Sequence, residues 1–220
     1  MFHLTQLPDQ PAIYYHASAD QAVFLRREDF QKYLKLLSGS KQKYSFQLLA
    51  YSLTTSDVHL LIEPGSFPPE KIIHFIHHQY AFYIKKKYGI SRPVFSDSRT
   101  LPVLNTRSCL EICKYIHLFP FLTERCSRPL LYRWNSYQAY ILNTSLDLTD
   151  KSLIYSYFPL ETQSSMQEFH EREISLFASP VDMKSFLAAY VETAFQFALG
   201  FNTPGISQTF LLSSPAPERG

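Results

Sequence analysis

The sequence predicts an α+β fold, helices packed on an antiparallel sheet of the ferredoxin-like type, from three observations. Short apolar stretches of strand length alternate with longer stretches of helical periodicity. Two of the short stretches are joined by a brief polar turn, "AYSLTTSDVHLLIEP" at residues 50–64, as in a hairpin. The order reads strand, helix, strand, strand, helix, a short strand, then helix, which is the split βαβ arrangement.

"PAIYYHAS" at residues 11–18 is the first strand. In "REDFQKYLKLLSGSKQKY", Phe30, Tyr33, Leu34 and Leu37 recur at helical spacing, and the helix is expected to end near Gly39. "SFQLLAYSL" and "VHLLIEP" form the hairpin. "PPEKIIHFIHHQYAFYIKKKYG" is a long helix with proline at its start, lysines in its last turn and Gly89 just beyond. "SRPVFSDSRTLPVLN" reads as a loop with one short strand, and "TRSCLEICKYIHLFP" as a helix from near Thr106 into Pro120. Residues 146–210 then read as a helical C-terminal extension, and residues 211–220 as a disordered tail.

Composition narrows the class. Of 220 residues, 45% are apolar and 15% aromatic, enough for a substantial core. No apolar run is long enough to span a bilayer and the N-terminus lacks a leader pattern, so a cytoplasmic protein without membrane association is expected. Three cysteines, Cys109, Cys113 and Cys126, suit a reducing compartment better than a disulfide framework. The net charge of +2 hides an asymmetry: residues 1–145 carry 17 Lys/Arg against 10 Asp/Glu, and residues 146–220 carry 4 against 9. The basic part is the one suited to a polyanion. There is no P-loop, dinucleotide fingerprint or internal repeat.

Strand alternation puts Asp57 and His59 on one face, so two metal-ligating side chains point the same way. Cys109, Cys113 and His117 form a stripe at four-residue spacing, read as a buried helix face, since a zinc site needs further ligands and usually other spacing. His74, His77 and His78 cluster on the long helix. Lys85, Lys86 and Lys87 complement the negative end of that helix's dipole. They also join Arg92, Arg99, Arg107 and Lys114 as a set of phosphate contacts, with Tyr83, Tyr88 and Phe95 available to stack on bases.

Four stretches in this order, "YYHASADQAVF", the hairpin, "KYIHLFP" and "RWNSYQAYIL", resemble the REP-associated tyrosine transposases, single-tyrosine members of the HUH superfamily. The resemblance runs over residues 14–140, with a looser echo to Phe158. It implies a hairpin whose two histidines, with a polar side chain one turn after a tyrosine, hold a divalent metal, Mg2+ or Mn2+. It implies further that this tyrosine attacks a phosphodiester of single-stranded DNA. A metal neutralises the non-bridging oxygens and an aligned hydroxyl displaces the leaving oxygen. On this pattern His59 stands at the second histidine, Asp57 at the first, Tyr115 at the nucleophile, and Phe119 where a polar ligand belongs. "VFSDSRTLPV" keeps Phe95 and Arg99 of the family's Phe-Gln-Gly-Arg-like motif without its glycine. Asp57 remains a ligand for a hard ion, whereas Phe119 ligates nothing.

The expectation is a host-resident, domesticated DNA-binding protein that recognises single-stranded or hairpin DNA, with strand cleavage reduced or lost. An active nickase working through Tyr115 is one alternative, and a partner-binding protein that has left DNA is the other. The acidic extension is expected to cover the basic groove, and a homodimer is among the assemblies the resemblance allows.

Overall fold

Four strands pair antiparallel in the order β2-β3-β1-β4, with β1 at Ala12–Ser18, β2 at Gln47–Leu53, β3 at Asp57–Glu63 and β4 at Asp97–Val103. This order, with a helix between β1 and β2 and another between β3 and β4, is the ferredoxin-like arrangement expected from the sequence. The structure, a computed structural model, describes residues 11–90, 92–142, 148–158, 162–172 and 174.

Helices α1 (Arg27–Tyr44) and α2 (Pro69–Tyr88) cover one face of the sheet. There Tyr15, Leu48, Leu53, Val58, Leu60 and Ile62 meet Tyr33, Leu37, Ile76 and Tyr80. The other face, carrying Tyr14, Leu61, Leu101 and Val103, receives α3 (Thr106–Leu122) and, through Tyr140, Ile154 and Met166, the short helices α4 (Tyr137–Leu142), α5 (Ser152–Ser156) and α6 (Thr162–Glu171). Two apolar layers on either side of one sheet follow from the period-2 alternation of its inner strands. Of the extension and tail, residues 146–147, 159–161, 173 and 175–220 lie outside the described residues.

α1 does not stop near Gly39. It runs on to Tyr44 and closes at Ser45, whose φ of 51° and ψ of 40° are left-handed and whose N–H reaches the Lys41 carbonyl. A glycine lowers helix propensity without breaking the hydrogen-bond ladder, so it is a weaker stop than a left-handed cap. α2 ends as predicted, at Gly89 with φ 67°. The start of α1 is tied to the end of α2 by Asp29. Its carboxylate accepts from the N–H groups of Leu25 and Arg26, from the hydroxyls of Tyr83 and Tyr88, and from Lys87 Nζ at 2.6 Å.

The edge strand β2 is not left open. Leu53 N–H donates to the Trp134 carbonyl, Tyr51 N–H to Ser136 Oγ, and Leu48 N–H to the Asp150 carboxylate. Tyr140 closes the row by donating its hydroxyl to the Leu49 carbonyl. The "RWNSYQAY" stretch is thus a brace along an edge that would otherwise pair with another chain.

Candidate functional site

One row of side chains crosses the α3 face of the sheet. Backbone register places Ser52 beside His59, His59 beside His16, and His16 beside Arg99. Asp57, one step along β3, shares that face because residues two apart on a strand do. His16 Nε2 lies 3.4 Å from Asp57 Oδ1, and the imidazoles of His16 and His59 stack at 4.3 Å between centroids. Donor atoms of His16, Asp57 and His59 all lie within 4.8 Å of one another.

Asp57 is held in place from its other oxygen. The hydroxyls of Thr54 and Ser56 both donate to Oδ2, at 2.7 and 2.8 Å. Burial pushes its carboxyl up, but the hydrogen bonds from His16, Thr54 and Ser56 outweigh it and hold the group well below the usual carboxylate range. His59 is fixed by the hydroxyl of Tyr14, 2.8 Å from Nδ1.

α3 brings the tyrosine over this row. Asn105 caps the helix by accepting from Ser108 N–H. Ten residues on, the Tyr115 ring stands edge-on to His59, 5.8 Å between centroids. Phe119, one turn later, lies closer, with its centroid 4.0 Å from that of His59. Tyr115 is 8% exposed and Phe119 6%. Burial, with a contribution from the charge of Asp57, pushes the Tyr115 phenol up to about 12 against the opposing effect of Arg99, so it is protonated at neutral pH.

The donors fit a divalent ion in chemistry: two imidazoles and a carboxylate suit manganese, and the carboxylate suits magnesium. Asp57, His59 and His16 would hold it. His16 escaped the sequence reading because strand alternation places it only on a face of β1. The β1–β3 register that sets it beside His59 is a tertiary fact.

The expected phosphate contacts divide. Lys85, Lys86, Arg92 and Arg99 are exposed. The end of α2 leads through Arg92 into Ser96, whose N–H donates to the Ser18 carbonyl, at the end of the sheet where Asp57 begins β3. Lys87 is engaged by Asp29, and its ammonium lies 5.3 and 5.0 Å from the ring centroids of Tyr83 and Tyr88. Those two rings are therefore less available for stacking than expected. Phe95 rests against His77 at 4.3 Å. Arg107 stands in the first turn of α3, about 12 Å along the axis from Tyr115 at 1.5 Å per residue.

Lys114 requires a correction. It is 1% exposed, pairs with Glu111 at 2.8 Å and lies over the Phe169 ring at 4.3 Å, so no phosphate reaches it. His77 is also turned inward, against the hydroxyls of Tyr33 and Tyr15, and burial lowers it to about 3. His74 and His78 remain exposed.

These features define an α+β protein with a four-stranded antiparallel sheet, packed helices and a tyrosine-bearing helix over the hairpin strand. Among solved structures, the chain is similar to a REP-associated tyrosine transposase bound to a REP hairpin. The TM-score is 0.53 and the identity 12%, covering 73% of this chain and 99% of that one. The likeness is one of fold. No family model matches the sequence, and no curated protein matches it. No helix among the described residues is long and apolar enough to cross a membrane.

Proposed function

We propose that the protein binds single-stranded or hairpin DNA on a single-tyrosine transposase scaffold, with strand cleavage reduced or lost. The observation that carries this is the row across the sheet. At His59 it is closed by the Phe119 ring, in the place where a polar ligand would face a metal, and at Arg99 it is exposed. Lys85, Lys86 and Arg92 add positive charge at the same end of the sheet. The hairpin bound by the structural neighbour supports the choice of ligand. Such cations position a backbone, and specificity is left to shape and stacking.

A second reading is favoured by one observation, the convergence of His16, Asp57 and His59 within 4.8 Å. With Mn2+ or Mg2+ held there, the ion would act as a Lewis acid on the scissile phosphate. Tyr115 would be the nucleophile and would have to give up its phenolic proton as it attacks, with the P–O3′ bond breaking to release a 3′-hydroxyl and leave a 5′-phosphotyrosine.

The experiment is incubation of the protein with labelled hairpin DNA and Mn2+, resolved on native and denaturing gels with Tyr115→Phe in parallel. Binding without a covalent band is the expected result. A covalent band lost in Tyr115→Phe would establish the second reading instead. Binding no better than that of a neutral control protein at low salt would remove both and favour a protein partner.

A further inference from the structure

Three side chains that neither reading uses meet between α3 and α6. Cys113 and His117 stand one turn apart on α3, and His170 arrives from α6. Cys113 Sγ, His117 Nδ1 and His170 Nε2 lie within 4.8 Å of one another, and all three residues are buried. His117 Nδ1 is 2.8 Å from His170 Nε2 and 3.8 Å from Cys113 Sγ.

Each imidazole is fixed through its other nitrogen. His170 Nδ1 lies 2.8 Å from the Met166 carbonyl, which only accepts, so Nδ1 carries the proton and Nε2 presents a lone pair to the cluster. His117 Nε2 lies 2.7 Å from Ser136 Oγ. That hydroxyl already accepts the Tyr51 N–H at 2.9 Å and lies 3.3 Å from the Tyr51 carbonyl.

The Ser136 proton therefore has two destinations. Directed at His117 Nε2, it leaves His117 to donate from Nδ1 to His170, and the cluster closes as a hydrogen bond. Directed at the Tyr51 carbonyl, it requires His117 to donate from Nε2. Two bare nitrogens and a sulfur then converge on one point, an arrangement that a cation between them satisfies more fully than the weak thiol donor of Cys113 can.

We propose that Cys113, His117 and His170 bind one thiophilic metal ion, Zn2+, between α3 and α6. A thiolate and two imidazoles are zinc donors, and zinc with three protein ligands takes a water as its fourth. The Met166 carbonyl and the Ser136 hydroxyl orient the imidazoles from behind, as outer-shell partners of metal-bound histidines do. On binding, one sulfur–zinc and two nitrogen–zinc bonds form and the Cys113 thiol releases its proton. The His117 proton relocates from Nδ1 to Nε2, Ser136 turns to the Tyr51 carbonyl, and no electron moves. This site is chemically distinct from His16, Asp57 and His59, whose carboxylate suits harder ions. It would pin α6 to the turn of α3 from which Tyr115 projects, two residues from both Cys113 and His117.

The test is elemental analysis of the full chain purified without chelator, beside Cys113→Ser, His170→Gln and His16→Gln. One zinc per chain is expected, lost in the first two variants and kept in the third. A zinc-free wild-type chain, or zinc lost in His16→Gln and kept in His170→Gln, would overturn the assignment. Loading the metal-stripped wild-type chain with Co2+ adds a readout independent of variant folding. A near-ultraviolet thiolate-to-cobalt band is expected, and its absence overturns the proposal.

Discussion

The ring of Phe119 lies 4.0 Å from the imidazole of His59, between centroids, and 5.7 Å from the ring of Tyr115. An apolar ring thus fills the space one turn beyond the tyrosine on the same helix face. Phe119→Asn puts a polar donor there. It is expected to bring up a Mn2+-dependent covalent adduct on hairpin DNA where the wild type gives none, because a polar donor then faces the metal donors. The gain should vanish on adding Tyr115→Phe. Removing the ring also costs roughly 3 kcal/mol of packing, so a urea melt must show that the variant is folded at the assay temperature. A folded variant with no gain in adduct would mean that the ring is not what limits the site.

Lys85 near the end of α2 and Lys114 within α3 stand in opposite environments in the fold, the first exposed and the second buried. Replacing both Lys85 and Lys86 by alanine is expected to weaken DNA binding and to flatten the dependence of log K on log salt by about 1.4 to 1.8, if each cation neutralises one phosphate. Lys114→Ala is expected to leave the salt slope unchanged and to lower stability, because it strands Glu111 beside a buried helix face. Fluorescence anisotropy over a salt series separates the two. Equal slopes for the double variant and the wild type would take DNA away from this end of α2.

The contrast shows where the sequence could be read and where it could not. The order of elements along the chain and the ends of α2 follow from alternation, an N-terminal proline and a C-terminal glycine, all local signals. Asp57 and His59 could be set on one face because alternation acts within a single strand, whereas Tyr115 was singled out only through the resemblance. His16 and His170 were not legible, because each meets its partners through pairing or packing of distant segments, 43 residues from His59 in one case and 53 from His117 in the other. Lys114 misled for a related reason. A lysine in a helix reads as exposed, and only the packing of α6 against α3 shows that its ammonium is covered by Phe169. β4 was only half legible, since its outer residues Asp97 to Thr100 are all polar and exposed and show no alternation.

Gly39 offers a test of the corrected helix end. It lies in the interior of α1, and a Cβ added there meets nothing within 4 Å. Gly39→Ala is therefore expected to stabilise the protein by about 0.5–1 kcal/mol, through lower chain entropy in the unfolded state and better helix propensity. Thermal or urea unfolding measures it. A loss of stability would mean that the helix does not continue past this position.

Asp29 joins the two helices of the other face and gives the acid limb of stability a definite sign. Burial acts to raise its carboxyl, but the hydrogen bonds from Lys87, Tyr88, the Arg26 backbone and Tyr83 together hold it below its ordinary value. A group with a depressed folded pKa contributes stability that is complete above its unfolded value, about 3.9, and is lost as pH falls through the folded one. Asp57, also depressed, acts in the same direction. Asp29→Asn keeps the shape but turns an acceptor into a partial donor facing Lys87 and two hydroxyls. A loss of roughly 2–3 kcal/mol at pH 7 is expected from the unmet buried groups. The gap between variant and wild type should narrow as pH drops below about 4, because protonation of Asp29 removes from the wild type what the substitution has already removed. Urea unfolding of both proteins between pH 2.5 and pH 7 measures that gap. A gap that stays constant with pH would mean that Asp29 supports the α1–α2 junction by its shape alone, and not by its charge.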